Sequence, residues 1–303
     1  MIPAEESGLA RLVLELGTEV EGCVEMMSGA VWVRDQLQRV GWQVKIAHAR
    51  KVREVAPLAC KTDRVDARVL AELCRRDLVP ELWVPSLEDR ALRERLRRRA
   101  HLVKVRTSAR NRIFGLLTQF GLRISYARLR KPDAIELLEL AEEMDRRIIP
   151  LDRELAPLAR ADERARLLAT MPGIGPLLGL TFAAEIGEVA RFRSPGKLIA
   201  YAGLAPRVSQ SGERSATGAL SKAGSRTLRW AAVEAAHQAW RPANPWHGHY
   251  LRVSARHGKN PAKSSVARKL LIAAWHMLAR GEPFKPPAST AARTLPRRAP
   301  AAF

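Results

Sequence analysis

The N-terminal part of the chain has two segments with a strand-like pattern and a helical segment between them. Valines mix with charged residues in EVEGCVEMM, and apolar residues alternate around Val44 and Ile46 in WQVKIAHA. Residues 32–40 between them have the spacing of an amphipathic helix. This strand–helix–strand order predicts a parallel pair in an α/β lobe. Further helices are expected over residues 8–17 and 63–75.

Beyond this lobe the pattern is almost entirely helical. VPELWVPS predicts a short edge strand, and Ser86 with Asp89 forms a capping box that opens a long helix. Pro150 and Pro157 are expected to kink or break the helices around them. The remaining helices are predicted over residues 132–144, 146–168, 177–186, 226–240 and 261–280. A long antiparallel helical arm joining two lobes is the expected architecture.

The charge of the chain points to a polyanionic partner. The 303 residues include 52 Lys and Arg against 31 Asp and Glu, a formal net charge of +21. Between Arg90 and Arg112 nine arginines and one lysine face a single glutamate. A solvated helix normally mixes its charge signs, so this segment favours contact with a nucleic-acid backbone. The candidate contacts on it are Arg97, Arg98, Lys104, Arg106 and Arg110.

A stretch from Tyr201 to Trp230 combines glycines, hydroxyls and cations with a single carboxylate. Its composition suits phosphate oxygens, although a polar surface loop is the simpler interpretation. The turn Pro172–Pro176 has a Gly-x-Gly pattern typical of a helix–hairpin–helix, and an ordinary helix turn is its alternative. The candidate nucleic-acid contacts here are Gly173, Gly175, Arg207, Arg214, Lys222 and Arg226.

Several classes of protein are disfavoured by what the sequence contains. Three cysteines without metal-ligand spacing predict a reduced protein without a disulfide framework. Apolar runs are too short for a membrane span, so no membrane partner and a cytoplasmic location are expected. The histidines form no zinc pattern, and no Walker loop is present. Asp63 and Asp66 share a helix face and, with Glu25, could hold Mg²⁺; a helix cap and pairing with Arg64 or Arg68 are the alternatives.

Two long motifs in order resemble the "IS one-ten" family, the DEDD transposases of insertion sequences. The first is CKTDRVDARVLAELCRRDLVPELWVPS. The second is LLATMPGIGPLLGLTFAAEIGEVARFRSPGKLIAYAGLAP, continued by LSKAGSRTLRWAAVEAA. With VEMMSG, the resemblance covers roughly residues 20–280. It implies an RNase-H/RuvC-like lobe with four Mg²⁺-binding acids and a C-terminal transposase domain.

The resemblance also implies roles for individual residues. Glu25 matches the second acid of the family, and Asp63 and Asp66 match the third and fourth. Ser211 matches the serine that attacks the DNA backbone, with Ser209 as the fallback. The expected partners are DNA, a structured guide RNA and further copies of the chain in a dimer or tetramer.

One departure from the family concerns the first acid. The family opens with a strand motif like G-I-D-V-S-K, whereas this chain has no aspartate before Glu25, and Asp35 lies on a predicted helix. We therefore expect the first strands of the lobe to be missing and the metal site to lack one ligand.

The expected fold is α/β plus mainly α. Residues 1–84 are expected to form an incomplete RNase-H/RuvC-like lobe, and residues 85–165 a helical or coiled-coil arm. Residues 166–281 are expected to form a C-terminal transposase domain with a helix–hairpin–helix-like turn, followed by a disordered tail over residues 282–303. The expected function is DNA cleavage and rejoining in transposition through a serine nucleophile and Mg²⁺. A catalytically dead nucleic-acid-binding remnant and a helix–hairpin–helix nuclease or repair factor are the alternatives.

Overall fold

The computed structural model describes residues 5–55, 62–119, 132–211 and 214–286. Within these ranges, the side chains of Asp63, of residues 132–134 and of residues 208–217 fall outside the description. The described chain is mainly helical with two small two-stranded sheets. It divides into two compact units, Met1–Ser86 and Leu87–Phe303.

The first unit is built on a parallel βαβ arrangement, as the pattern predicts. Strands β1 and β2 pair in parallel, with Glu25 opposite Ala47 at the carboxyl ends. Trp42 packs with Leu9 and Leu37 in a small core and donates a 2.8 Å hydrogen bond to the carbonyl of Gly17. The elements are α1 (Glu6–Leu16), β1 (Glu21–Glu25), α2 (Ala30–Arg39), β2 (Gln43–Ala47), α3 (Ala49–Val55) and α4 (Asp63–Arg75).

The expected edge strand in VPELWVPS is wrong. Glu81 forms only an isolated antiparallel bridge with Ala47 at the end of β2. Pro80 and Pro85 flank this position and have no N–H group to donate to a ladder, which limits the pairing to one bridge.

The second unit begins with two long helices, α5 (Leu87–Gln119) and α6 (Pro132–Ala161). They are antiparallel, because Arg95 pairs with Glu154 whereas Arg110, further along α5, pairs with Asp145. The break expected at Pro150 and Pro157 is wrong, since α6 continues through both. Buried residues along α6, among them Ile148 and Leu155, offset the backbone hydrogen bonds that the prolines remove.

The rest of the second unit surrounds a large apolar core. Phe182, Leu198, Leu228 and Leu270 are fully buried in it, one from each of four helices. Single-turn 3₁₀ helices occur at Val189–Arg191 and His237–Trp240. The helices are α7 (Glu163–Leu168), α8 (Pro176–Ile186), α9 (Pro195–Tyr201), α10 (Arg226–Ala236), α11 (His247–His257) and α12 (Lys259–Arg280).

Two elements of this unit are not predicted by the pattern. Helix α11 follows the break at Pro242 and Pro245, with its N-terminus next to Asn244, whose side chain accepts from the N–H of Trp246 at 3.0 Å. The Ser/Gly/Arg stretch is an antiparallel hairpin of β3 (Pro206–Ser211) and β4 (Arg214–Leu220). Polar residues or glycine occupy most positions of both strands, so the sequence shows no apolar alternation there.

In the described part of the chain, no helix is both long and apolar enough to cross a membrane. The tail predicted from Glu282 lies, beyond Pro286, outside the described residues.

Candidate catalytic hairpin and nucleic-acid interface

The two candidate serine nucleophiles lie near the tip of the β3–β4 hairpin. Ser211 is the last residue of β3, and its backbone pairs with Arg214, the first residue of β4. Ser209 lies two residues earlier, opposite Ala216. The fold therefore places both serines and one candidate phosphate contact on the part of the hairpin furthest from its base.

The base of the hairpin is closed by backbone contacts that admit only glycine. A Cβ on Gly224 would lie 2.1 Å from the carbonyl oxygen of Tyr201, and one on Gly203 would lie 2.5 Å from that of Ala223. Both glycines have positive φ, +107° and +67°. Arg229 holds the two chain segments at this base together by donating to the carbonyls of Ala202 and Lys222 at 3.1 and 3.0 Å. The hairpin thus leaves the core from a fixed point.

A buried carboxylate links this base to the arm and to the core. Glu185, which is 1% exposed at the end of α8, accepts from the Ser225 hydroxyl at 2.8 Å and from Arg97 Nη2 at 2.8 Å. The Ser225 oxygen also accepts from the N–H of Leu228 at 3.1 Å and caps α10. Glu185 therefore positions the segment that follows β4. A lone acid inside the apolar sequence LLGLTFAAEIG is the signal by which the sequence marks it.

Two further arginines satisfy the C-terminal carbonyls of α8. Arg93, only 6% exposed, donates to the carbonyls of Ala184 and Glu185 at 2.7 and 3.0 Å. Arg191 donates to the carbonyl of Ile186 at 2.9 Å, with its guanidinium 4.0 Å from the centre of the Phe192 ring. These cations replace the hydrogen bonds that a helix end lacks, and they serve the fold.

The arginine-rich helix α5 is partly neutralised by carboxylates. Arg97 pairs with Glu185, and Arg106 and Arg110 both pair with Asp145 on α6. Arg98 and Lys104 are exposed and take part in none of the ion pairs found among the described residues. The charge of about +9 counted from the sequence therefore overstates what the helix presents to a partner. Two further ion pairs across the arm are Arg95–Glu154 and Arg99–Asp152.

The two glycines of the Gly-x-Gly turn have different surroundings. Gly173 has φ +91°, and a Cβ there would lie 2.5 Å from the carbonyl oxygen of Ala235 in α10. Gly175 is the N-cap of α8, with φ −85° and no atom within 4 Å of a Cβ built on it. Gly173 is required for packing, whereas the backbone beside Gly175 is open.

Three other candidate phosphate contacts surround the hairpin base. Arg207 lies in β3, Lys222 follows β4, and Arg226 is the first residue of α10. All three are exposed. Lys222 has φ +53°, a conformation uncommon for a residue with a side chain.

The candidate metal ligands all lie in the first unit. Glu25 ends β1, and Asp63 and Asp66 lie in the first turn of α4, which packs against β1. Thr62, rather than Asp63, caps α4 through a 3.3 Å bond from the N–H of Val65. Carboxylate oxygens in this arrangement suit a hard divalent cation. Among the side chains that the structure describes, which exclude that of Asp63, no three acids, histidines or cysteines form a metal-binding cluster.

The two cysteines described in this unit are both unbridged, Cys74 in a buried position. Burial, and then the nearby Cys74, raise the pKa of Cys23 to about 11. A thiol with so high a pKa is protonated at neutral pH, so Cys23 is a poor nucleophile and a poor metal ligand.

Two family models match this chain. The model described as "Transposase IS116/IS110/IS902 family" matches residues 165–252, which include the hairpin and the Gly-x-Gly turn. A model of DEDD transposases, described as "Transposase", matches residues 2–121, which include all three candidate metal ligands. Together they cover more than half of the chain.

Individual proteins are similar over most of the chain as well. The transposase for insertion sequence element IS1111A of Coxiella burnetii is 28% identical over 74% of this chain and 68% of its own length. A probable family 20 transposase of Pseudomonas aeruginosa is 30% identical over 67% of this chain and 65% of its own length. The transposase for insertion sequence element IS1328 of Yersinia enterocolitica is 27% identical over 86% of this chain and 84% of its own length.

Proposed function

The chain belongs to the IS110/IS116/IS902 family of transposases, and on that premise we propose that it cuts and rejoins DNA strands with Ser211 as its nucleophile. The serine oxygen forms a bond to the phosphorus of a backbone phosphodiester while the bond from phosphorus to one deoxyribose oxygen breaks. The hydroxyl proton leaves to a base, and the freed deoxyribose oxygen takes one up. The protein is then joined covalently to one DNA end. A deoxyribose hydroxyl of a second strand can attack the same phosphorus, which joins the two DNA ends and releases the serine.

The observation that carries this proposal is the position of Ser211 at the tip of a hairpin with a fixed base. The two glycine crossings and the Glu185–Ser225 bond hold the point where the hairpin leaves the core. A nucleophile gains most when it is held in one place relative to the group it attacks. Ser209, two residues away on the same strand, is the second candidate.

Glu25, Asp63 and Asp66 would hold a divalent cation, which we propose is Mg²⁺. Their oxygen donors suit that ion, and bound Mg²⁺ stabilises charge on phosphate oxygens and lowers the pKa of a bound hydroxyl. The lobe that carries them is proposed to be of the RNase-H/RuvC type. Arg214, whose backbone pairs with that of Ser211, is proposed to neutralise the phosphate that the serine attacks. Arg207, Lys222 and Arg226, nearer the hairpin base, are proposed to hold the adjoining DNA backbone.

The remaining proposed contacts are with nucleic acid at a distance from the serine. Arg98 and Lys104 on α5 are exposed and available to phosphates, while Arg97, Arg106 and Arg110 would first have to exchange a carboxylate partner. The Gly-x-Gly turn at the N-terminus of α8 is proposed to present backbone N–H groups to a phosphate. A structured guide RNA and assembly into a dimer or tetramer are part of the same proposal.

A covalent protein–DNA adduct tests the nucleophile directly. We expect the purified chain, incubated with Mg²⁺, the structured guide RNA and DNA carrying the ends of its element, to yield an adduct that survives denaturing electrophoresis. Ser211→Ala should abolish the adduct and leave DNA binding intact, and Ser209→Ala is the matched control. An adduct that persists in Ser211→Ala and disappears in Ser209→Ala would move the assignment to Ser209, and persistence in both would refute the serine mechanism.

The second candidate function is a DNA-binding protein without catalysis. It rests on the net charge of +21, which suits binding to nucleic acid and requires no reaction. It predicts salt-dependent DNA binding but no adduct from the wild-type chain under any metal condition. Adduct formation by the wild-type chain separates the two functions, and its loss in Asp66→Asn would show that this carboxylate serves the reaction.

A further inference from the structure

The C-terminal helical pair α11–α12 carries the largest run of the chain without an acid. No Asp or Glu occurs between Glu234 and Glu282, whereas α11 and α12 together contain seven lysines and arginines. A run of this kind can be neutralised by carboxylates from other elements, as α5 is by α6. The ion pairs in the structure show whether carboxylates neutralise α11 and α12.

None of these seven cations forms an ion pair with any carboxylate in the described part of the chain. Arg252, Arg256, Lys259 and Lys269 are exposed, and Lys263 and Arg268 are half-buried. The contrast with α5 is direct, because five arginines of that helix pair with Asp145, Asp152, Glu154 or Glu185. Apart from Arg280, which lies near Glu282, the cations of α11 and α12 face solvent without a carboxylate partner among the described residues.

The cations of the two helices lie around one contact between them. His249 on α11 hydrogen-bonds Ser265 on α12 at 2.8 Å. Arg252 and Arg256 follow His249 at steps of three and four, which keeps them on one side of α11. Arg268 and Lys269 lie one turn beyond Ser265. The apolar sides of both helices face the core through Tyr250, Ala262, Val266, Leu270 and Ala274.

Cations of both helices act on the imidazole of His249. Burial, and then Lys269, Arg252 and Arg268, lower the pKa of its imidazole. Charges on both helices act on the same ring, so they lie close to one another. Lys259 and Lys263 add further positive charge in the first two turns of α12, where the helix dipole favours acids.

We propose that the exposed side of α11 and of the first half of α12 binds the phosphate backbone of duplex DNA without reading its sequence. This basic surface consists of Arg252, Arg256, Arg268 and Lys269. Unpaired cations held on two packed helices can contact several phosphates at once, and counterion release from DNA offsets the repulsion among them. The choice of DNA as the polyanion rests on the proposed function.

The test removes three of these charges and compares the loss with a matched removal elsewhere. Arg252, Arg256 and Lys269 are changed together to Gln in the full chain. The control changes Arg50, Arg75 and Arg76 to Gln, which lowers the net charge equally at exposed positions of the first unit. Binding to a random-sequence duplex is measured by fluorescence anisotropy between about 50 and about 200 mM KCl.

We expect the surface variant to lower the slope of log affinity against log salt by about 2 to 3, and to weaken binding roughly 100-fold at the middle of that range. The control variant should change the slope by less than about 1. Equal slopes for the surface variant and the wild type would overturn the proposal, as would equal losses in the two variants. Folding is checked by circular dichroism and by the urea midpoint, which should stay unchanged or rise because like charges are removed.

Two further measurements separate DNA binding by this surface from RNA binding and from the serine mechanism. The same titrations with a hairpin RNA identify the polyanion, and a loss of RNA affinity with duplex affinity unchanged would overturn the choice of DNA. Adduct formation by the wild-type chain is scored in parallel. A chain that forms no adduct but loses its salt slope in the surface variant refutes the serine mechanism and supports this surface.

Discussion

Replacing Gly173 by Ala should destabilise the second unit, whereas the same change at Gly175 should not. The two glycines are two residues apart in one turn and differ in what a methyl group would meet. At Gly173 the Cβ would lie 2.5 Å from the backbone oxygen of Ala235, and the position has φ +91°. At Gly175 no atom lies within 4 Å and φ is −85°. The pair therefore isolates the contact from the chemical change.

The magnitude follows from two separate costs at Gly173. An L-residue in the left-handed region costs about 1–2 kcal/mol. Forcing α10 away from the methyl group costs about 1–3 kcal/mol more, because the opposing atom is helix backbone and has no alternative rotamer. The sum, about 2–5 kcal/mol, is a large part of the stability of an ordinary domain. Gly175→Ala should change the free energy of unfolding by less than about 1 kcal/mol, since it also reduces the freedom of the unfolded chain.

Urea unfolding followed by circular dichroism measures both variants. With a slope of about 2 kcal/mol per molar urea, the midpoint of Gly173→Ala should fall by about 1–2.5 M, and that of Gly175→Ala should stay within about 0.5 M of the wild type. An unchanged midpoint for Gly173→Ala would refute the tight contact with α10. Duplex affinity of Gly175→Ala then tests the proposed phosphate contact in a variant of normal stability.

Three other substitutions test the contacts described above. Glu185→Ala should lower the free energy of unfolding by roughly 2–3 kcal/mol, while Glu185→Gln, which still accepts from Ser225, should cost about 1 kcal/mol; equal losses on urea unfolding would contradict the Ser225 bond. Asp145→Asn should release its two arginine partners on α5 and raise duplex affinity at low salt in anisotropy titrations, and an unchanged affinity would argue against DNA contact by the arm. Burial raises the pKa of Asp162, but the Arg164 and Ala165 hydrogen bonds outweigh it and the net shift is downward. The ionised Asp162 carboxylate therefore stabilises the fold above the unfolded pKa of about 4, and this stabilisation is lost as the pH falls below it. Asp162→Asn, which preserves the cap, should remove this part of the acid dependence of the urea midpoint.

The sequence predicts the elements whose periodicity is set by one buried side. The parallel βαβ pair, the long helices and α4 belong to this class, because each has an apolar stripe of regular spacing. The hairpin does not, since its strands carry polar residues or glycine at most positions. Helix α6 shows the converse, because packing along its length overrides the local effect of Pro150 and Pro157.

Site residues are predictable from the sequence only where a motif names them. Ser211 and the three acids were assigned by resemblance, and the structure adds their places on β3, β1 and α4. Glu185 was missed because its importance depends on partners 40 and 88 residues away along the chain. Contacts of that separation are fixed by tertiary packing, about which local composition carries no information.

Net charge needs the same distinction between a count and a surface. Residues 90–112 have the denser run of arginines, and by the sequence alone they are the first choice for a nucleic-acid contact. In the structure, carboxylates of α6 and α8 neutralise much of that run. Helices α11 and α12 hold fewer cations, but none of them forms an ion pair with a carboxylate in the described chain. Affinity for a polyanion depends on the counterions that binding releases, and a guanidinium already paired with an acid releases few. The less conspicuous pair of helices should therefore contribute more to the salt dependence of DNA binding than the arm does.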